Sequence, residues 1–477
     1  MSPRLLLAGA CCVLLLLLVW SPLHLTSWLD GAERVSSAGL PGWSAAHEEA
    51  AALMSCFNAP TPGPSNATTR SDTFKGFLAG RPANLVLDHV HWSDAPAPLN
   101  LTVCTMATPG RMRSVEHLCA SWKGVLAVAV YMPLEAKQDS FGAYVMTAES
   151  RAKLQRASAR VAEVFSRTDK KRALIGKGCS LRTLFTYELM GFPGKATGGT
   201  PNHLMYSMLP INSLRNTALL AATTPLVLMA DADLMLASSL SEQLAKPSIF
   251  SEVAAIAAAR NAIIVPTFET PEELRQDKAM LVAIEALHGD ASALKAAVDD
   301  NQLQPFAAKT FYDGHKCTNF KQWYQATAPY KIRYTPACEP WMIADRSHLP
   351  QWDVRYRGYG WNKVSHVAHV NETFAGMKVF PGLFMVHLPH RPSSALHTYW
   401  KAKDISLAGG AEGAEAFNKV TALYNEEQAL LAKGTFVPVT DARTQRCRQE
   451  LSWWSGGGDG GSGQQQRQAP GRRALLL

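Results

Sequence analysis

The sequence predicts an α/β domain built on a Rossmann-like, doubly wound sheet, and three observations carry that prediction. Apolar, β-rich runs bounded by turn residues recur along the middle of the chain. Segments with helical spacing separate them, and one run stops abruptly at two acids. This alternation is the pattern of parallel strands joined by helical crossovers. The first two runs, LTVCTMAT (Leu101 to Thr108) and GVLAVAVYM (Gly124 to Met132), suit strands buried on both faces. Between Arg151 and Arg172, the residues Leu154, Val161, Val164 and Phe165 fall at helical spacing among Arg and Lys. That stretch predicts an amphipathic helix with a solvated basic face. SLRTLFTYEL (Ser180 to Leu189) and INSLRNTALLAAT (Ile211 to Thr223) also read as helices. PLVLMADAD (Pro225 to Asp233) is the short strand that ends in acids, and AIIVPTFE (Ala262 to Glu269) is another strand. Asp299 to Ala326 is less regular and predicts loops and short helices beside a site. No internal repeat is visible, so a tandem architecture is not expected.

With 477 residues, 47% of them hydrophobic, the chain can bury a sizeable core. The net charge of +8 is concentrated between Arg151 and Arg172 and in the C-terminal tail. These basic residues are not interleaved with aromatics on one face, so no nucleic-acid partner is expected. Leu5 to Trp20 carries no charge and follows Arg4. Together with Ser21 to Leu25 it approaches the roughly 17 to 25 residues of a membrane span. We read residues 1–4 as a cytoplasmic tail and 5–25 as an uncleaved signal anchor, with a cleaved signal peptide as the competing reading. Both place the remainder in the secretory lumen. Residues 26–98, rich in Ala, Pro, Gly, Ser and Thr, read as a stem. The α/β domain then spans 99–440, and 441–477 reads as a basic, Gly-rich disordered tail, of low complexity from Gly456. Sequons at Asn66, Asn100 and Asn371 suit a lumenal glycoprotein. Seven cysteines lie outside the anchor without a CxxC pair, which predicts one to three disulfides and one leftover thiol.

The chemistry centres on Asp231-Ala232-Asp233. Ligands of open α/β sheets bind beyond the carboxyl ends of strands, and two acids there cannot both be buried uncompensated. Manganese or magnesium would satisfy them, leaving coordination positions for phosphate oxygens. The bland alternative is a tripeptide that caps the next helix. A different reading takes His366-x-x-His369 and His387-x-x-His390 as ligands of a zinc-dependent hydrolase, although no H-E-x-x-H accompanies them.

Several ordered blocks then resemble one known family. INSLRNTALLAATTPLVLMADADLM (Ile211 to Met235) is followed by IIVPTFET, TNFKQWYQATAPYKIRY and CEPWMIADR. WDVRYRGYGWNKVSHVAHV and FPGLFMVHLPH complete the series, with LCASWKGVLAVAVYMP preceding it. Together they resemble glycosyltransferase family 49, the LARGE-type and β-1,4-glucuronyltransferase-like enzymes that modify dystroglycan. The resemblance implies a GT-A fold, a UDP-sugar donor, glucuronic acid among the candidate sugars, and a glycan or glycoprotein acceptor. It also implies an inverting reaction and a single-pass type II protein of the Golgi membrane, able to associate with itself or with other Golgi transferases. Carried over by position, Asp231, Asp233 and His387 are the metal ligands, and Asn212, Arg215 and Asn216 lie on the donor side. For Asn212, a helix-cap or core hydrogen bond is an equal alternative. Arg215 suits the diphosphate or uridine. Where related enzymes carry an acidic base, Gly358 to Asn362 has none, so the candidate bases are Glu339 and Asp353, then Glu269. A structural salt bridge is the alternative for each. Trp341 beside Glu339 would raise its pKa. Glu269, Trp341, Tyr359, Trp361 and Asn362 are placed on the acceptor side, the aromatics either stacking on sugars or packing in the core. Pro271 to Ala308 departs from the family and is expected to shape the acceptor site. With no second transferase domain visible, an alternating polymerase is not expected. The missing acid at Asn362 keeps open a catalytically inactive, carbohydrate-binding protein.

Overall fold

A computed structural model describes residues 44–60, 73–140, 144–176, 178–191, 208–411 and 413–455. Its strands are β1 (Val86–Trp92), β2 (Leu101–Ala107), β3 (Val125–Gln138), β4 (Tyr144–Met146), β5 (Ser180–Met190), β6 (Leu226–Met229) and β7 (Leu234–Leu236). They continue as β8 (Asn261–Ile264), β9 (Thr267–Glu269), β10 (Gln304–Pro305), β11 (Tyr330–Ile332), β12 (Met342–Asp345), β13 (Gly376–Val379) and β14 (Met385–His387). The large sheet runs β1-β5-β3-β2-β6-β12-β8-β13-β11, with β4 on β3, and a small sheet runs β10-β9-β14-β7. The core quartet β5-β3-β2-β6 is parallel. Its chain order reverses between β2 and β6, which makes that crevice the switch point where an open α/β sheet binds its ligand. Past β6 the sheet becomes mixed, because β12 lies antiparallel between β6 and β8. The expected α/β architecture of GT-A type therefore holds at the level of a mixed α/β sheet.

Most predicted elements form where expected. The basic helix runs Ala148–Ile175, burying Ala157, Val161 and Val164. Thr147 caps its start by accepting from Ser150 N, and Gly176 ends it at φ 63°. SLRTLFTYEL is a correction, because it forms β5. Leu181, Thr183, Leu184, Phe185 and Thr186 are all buried between β1 and β3. A strand covered on both faces shows no two-residue alternation, and its continuous apolar run imitates helical spacing. The helix Ile211–Leu220 is buried at every position, including the polar Asn212, Arg215 and Asn216. Those side chains must find partners inside the protein.

Part of the stretch read as stem is folded into this body. The compact unit begins at Ala45, the helix Ala45–Asn58 buries Leu53 and Phe57, and β1 pairs with β5. At the other end, the helix Ala442–Glu450 is joined to it through the disulfide Cys56–Cys447. Cys119–Cys179 and Cys317–Cys338 are also bridged, and Cys104 is a buried free thiol. The expected tail and anchor, 1–25, and the sequon at Asn66 lie outside the described residues. No helix among the described residues is long and apolar enough to cross a membrane. Asn100 is exposed just ahead of β2, and Asn371 is partly exposed in the last turn of the helix Asn362–Thr373.

Candidate active site

Strand β6 is buried throughout and stops at Met229, after which Ala230 N donates to Cys104 O of β2 at 2.9 Å. Asp231-Ala232-Asp233 forms the turn that carries the chain into β7, closed by Leu234 N on Asp231 O at 3.0 Å. The two acids thus stand at the seam between the large and small sheets, on the carboxyl edge of the switch point. Register then delivers the histidines. In β14, His387 pairs with Leu234, and Leu388 N donates to Asp233 O at 2.9 Å.

Asp233 Oδ2 sits 2.7 Å from His390 Nε2 and accepts from Arg111 Nη1 at 3.0 Å. His387 Nε2 lies 3.2 Å from His390 Nε2. Ligand atoms of Asp233, His387 and His390 all fall within 4.8 Å of one another. Burial would raise the Asp233 pKa, but the His390 hydrogen bond and the charges of His387, His390 and Arg111 hold it below its ordinary value. Burial lowers the pKa of His387, which favours the neutral imidazole that binds metal, while the hydrogen bond to Asp233 raises that of His390. One carboxylate and two imidazoles fit a transition-metal ion such as manganese better than magnesium, which favours oxygen ligands.

Asp231 is held by two cations. Its Oδ1 meets Arg215 Nη2 at 3.3 Å and its Oδ2 meets Lys363 Nζ at 3.4 Å. Among the described residues, the expected set of Asp231, Asp233 and His387 is therefore assembled as Asp233, His387 and His390, with Asp231 alongside. Arg215 does not offer a free fork to phosphate. It is buried, donates through Nη1 to Asn212 Oδ1 at 3.0 Å and Asn362 Oδ1 at 2.7 Å, and lies 4.3 Å over Trp352. Its visible work is to hold Asp231. Asn212 Nδ2 donates to Asp353 O, and Asn216 Nδ2 to Trp352 O, both at 2.8 Å. These two are core hydrogen bonds that clamp the 352–353 backbone, the alternative given for Asn212 and a departure from the donor-side expectation for Asn216.

The candidate bases separate clearly. Glu339 Oε1 lies 3.7 Å from both Lys363 Nζ and His315 Nε2. Trp341 packs under the lysine at 3.8 Å and against His315 at 5.2 Å. The expectation of a raised Glu339 pKa is corrected: burial pushes it up, but Lys363 and His315 bring it below its ordinary value. Asp353 is buried and gripped by Arg355, through Nε at 3.1 Å and Nη2 at 2.9 Å, with Val439 N at 3.1 Å. That is a structural ion pair, with no oxygen left for an acceptor. Glu269 accepts from Gln304 Nε2 at 3.1 Å and Ala307 N at 2.9 Å, and burial raises its pKa.

Of the aromatics, Trp341 is buried, and Trp361 stacks on Tyr424 with centroids 4.4 Å apart. Both follow the core-packing alternative, whereas Tyr359 keeps 47% of its surface exposed beside Tyr399. Asn362 is buried as the partner of Arg215. His366 stacks on Trp352 at 3.6 Å and His369 packs on Phe436, both with pKa values lowered by burial. The four-histidine zinc site does not assemble. Sequence reasoning missed Arg111, His315 and Lys363, and placed His390 only in the hydrolase reading. The HLPH spacing was the available signal for His390, and GWNK was the signal for Lys363.

A family model described as a glycosyl-transferase for dystroglycan matches residues 100–402. The chain is 26% identical over 306 residues to the xylosyl- and glucuronyltransferase LARGE2 of Rattus norvegicus, covering 64% of this chain and 36% of that protein. It is 25% identical over 311 residues to LARGE1 of Homo sapiens, covering 64% of this chain and 33% of the relative. It thus spans about a third of the length of these curated relatives. Among solved structures it is similar to residues 1–349 of S. aureus TarS, at 11% identity and a TM-score of 0.29, covering 74% of this chain and 70% of that one. That likeness is too slight to bear on fold or function.

Proposed function

The chain belongs to the family of glycosyl-transferases for dystroglycan, and on that premise we propose that it is a metal-dependent, inverting transferase. In this reading it moves a sugar, glucuronic acid or xylose among the candidates, from a UDP-sugar to a glycan or glycoprotein acceptor. The carrying observation is the Asp233, His387 and His390 cluster at the carboxyl edge of the switch point, with Asp231 two residues before Asp233. These residues would hold manganese, which when bound neutralises the negative charge leaving on the diphosphate.

The remaining chemistry belongs to the chain. The acceptor hydroxyl oxygen bonds to the anomeric carbon while the carbon–oxygen bond to the diphosphate breaks and its electron pair leaves with UDP. The hydroxyl proton passes to Glu339, the candidate base adjoining Asp231 through Lys363 and kept ionised by that lysine and His315. Tyr359, half-exposed and within electrostatic reach of Glu339 and Asp231, offers a ring face to the acceptor sugar. The setting we propose is the Golgi lumen, with residues 5–25 as a type II anchor.

UDP release from a panel of nucleotide sugars tests the reading. We expect turnover with at least one UDP-sugar in manganese, lost in EDTA and restored by excess manganese. Turnover unaffected by EDTA, or no UDP released from any donor, would overturn it.

A further inference from the structure

Lys363 stands in the first turn of the helix Asn362–Thr373, behind a loop with little freedom. Gly360 has φ +103°, and a Cβ there would come within 2.4 Å of Tyr399 Cε2, while Trp361 is left-handed at φ 57°. This loop places the lysine between two acids from separate segments, Asp231 just after β6 and Glu339 just before β12. Its Nζ is 3.4 Å from Asp231 Oδ2 and 3.7 Å from Glu339 Oε1, and lies 3.8 Å over the Trp341 ring. Both distances exceed that of an optimal charge-assisted hydrogen bond, roughly 2.7 to 2.9 Å, so the lysine is shared rather than committed.

The other cations at the site are less free. Arg215, the second partner of Asp231, is pinned by Asn212 and Asn362. Arg111 is paired with Asp233. Three acids (Asp231, Asp233 and Glu339) are thus balanced by three cations (Arg111, Arg215 and Lys363). A divalent ion adds two positive charges, and Lys363, on a flexible four-carbon stem, is the cation best able to respond. Asp231 keeps its contact with Arg215 if the lysine leaves, whereas Glu339 would keep a contact with His315, a buried imidazole, and the more distant charge of Arg215.

We propose that Lys363 is a positioning residue that couples the metal site to the base. It competes with the ion for Asp231 and, once the ion is bound, turns wholly to Glu339, holding that carboxylate charged and oriented toward the acceptor. The inference rests on the metal-dependent reading above. It makes a prediction of mixed sign that neither a structural role nor a donor-binding role shares: removing the lysine tightens metal binding while slowing turnover.

The test is Lys363→Met, which keeps length and loses charge, with Lys363→Arg as the charge-retaining control. Free manganese is followed by electron paramagnetic resonance during titration of the full chain in the presence of UDP. Lys363→Met should bind manganese about fivefold or more tightly than the unsubstituted protein, and kcat for UDP release should fall at least about tenfold. Lys363→Arg should bring manganese affinity back toward its original value. Manganese binding that is unchanged or weaker in Lys363→Met overturns the proposal. A raised donor KM at unchanged kcat also overturns it, by moving the lysine to the donor. Absence of manganese binding by the unsubstituted protein would instead remove the metal-dependent reading itself, so the two failures are distinguishable.

Discussion

Glu339 and Asp353 are both largely buried acids, and their partners assign them different work. Glu339 faces Lys363 and His315 at 3.7 Å, with no hydrogen bond consuming its oxygens from an arginine fork. Glu339→Gln should therefore lower kcat by about 10² to 10⁴ while UDP binding, measured by calorimetry, persists. Asp353 is bound by Arg355 through both oxygens and by Val439 N. Asp353→Asn leaves Arg355 its pair with Glu426 at 3.0 Å but weakens the charge-assisted bonds to Asp353, and should cost about 1 to 3 kcal/mol of stability, read by urea denaturation, with kcat of the folded protein near normal. Sequence alone could not separate these two acids. Asp353 has its arginine two residues away, but the lysine and histidine of Glu339 arrive from distant segments that only the fold brings together. Asp231 and Asp233 stood out in sequence because an apolar strand ends at them and the family resemblance runs through them, against the alternative of a helix cap. Arg111 did not, since nothing in TPGRM foretells that β2 ends beside Asp233.

At the scale of elements, the helices Asn362–Thr373 and Glu415–Ala432 meet through a buried carboxyl group. Glu427 accepts from Tyr356 Oη at 2.9 Å and from Ser365 Oγ, and burial pushes its pKa from 4.5 up to about 8. A folded-state pKa raised above the unfolded one contributes stability that is full below about 4.5 and lost as pH rises through about 8. Glu427→Gln retains both hydrogen bonds without the charge. Its Tm should match the parent near pH 5 and exceed it by about 2 °C or more at pH 8.5; equal melting at both pH values would show that Glu427 does not carry this dependence. The joint was invisible in sequence, and the small sheet nearly so: its strands of two or three residues are too short to show a period, and β9 reads only as the end of the strand that β8 begins. That sheet places His387 and His390. The long basic helix and the helix before the two acids were readable because each holds an apolar pattern over several turns.

Across the whole molecule, the Cys56–Cys447 disulfide ties together segments 391 residues apart in sequence. It fastens the helix Ala45–Asn58 to the helix Ala442–Glu450, both assigned by composition to regions outside the domain. Their small and polar residues hid a few deeply buried ones, Leu53, Phe57 and Leu451 among them. Replacing both cysteines by Ala should cost about 2 to 5 kcal/mol, seen as a lower Tm. UDP release below the transition should be preserved, since neither cysteine is among the partners of Asp231 and Asp233. The account turns on those two acids and the histidines beside them, at the seam of the two sheets. Its most direct test is manganese-stimulated UDP release measured side by side for the unsubstituted protein and Asp233→Asn, both shown to be folded by circular dichroism. The account predicts turnover in the first and a loss of at least about 10²-fold in the second, whereas near-normal turnover by Asp233→Asn would contradict it.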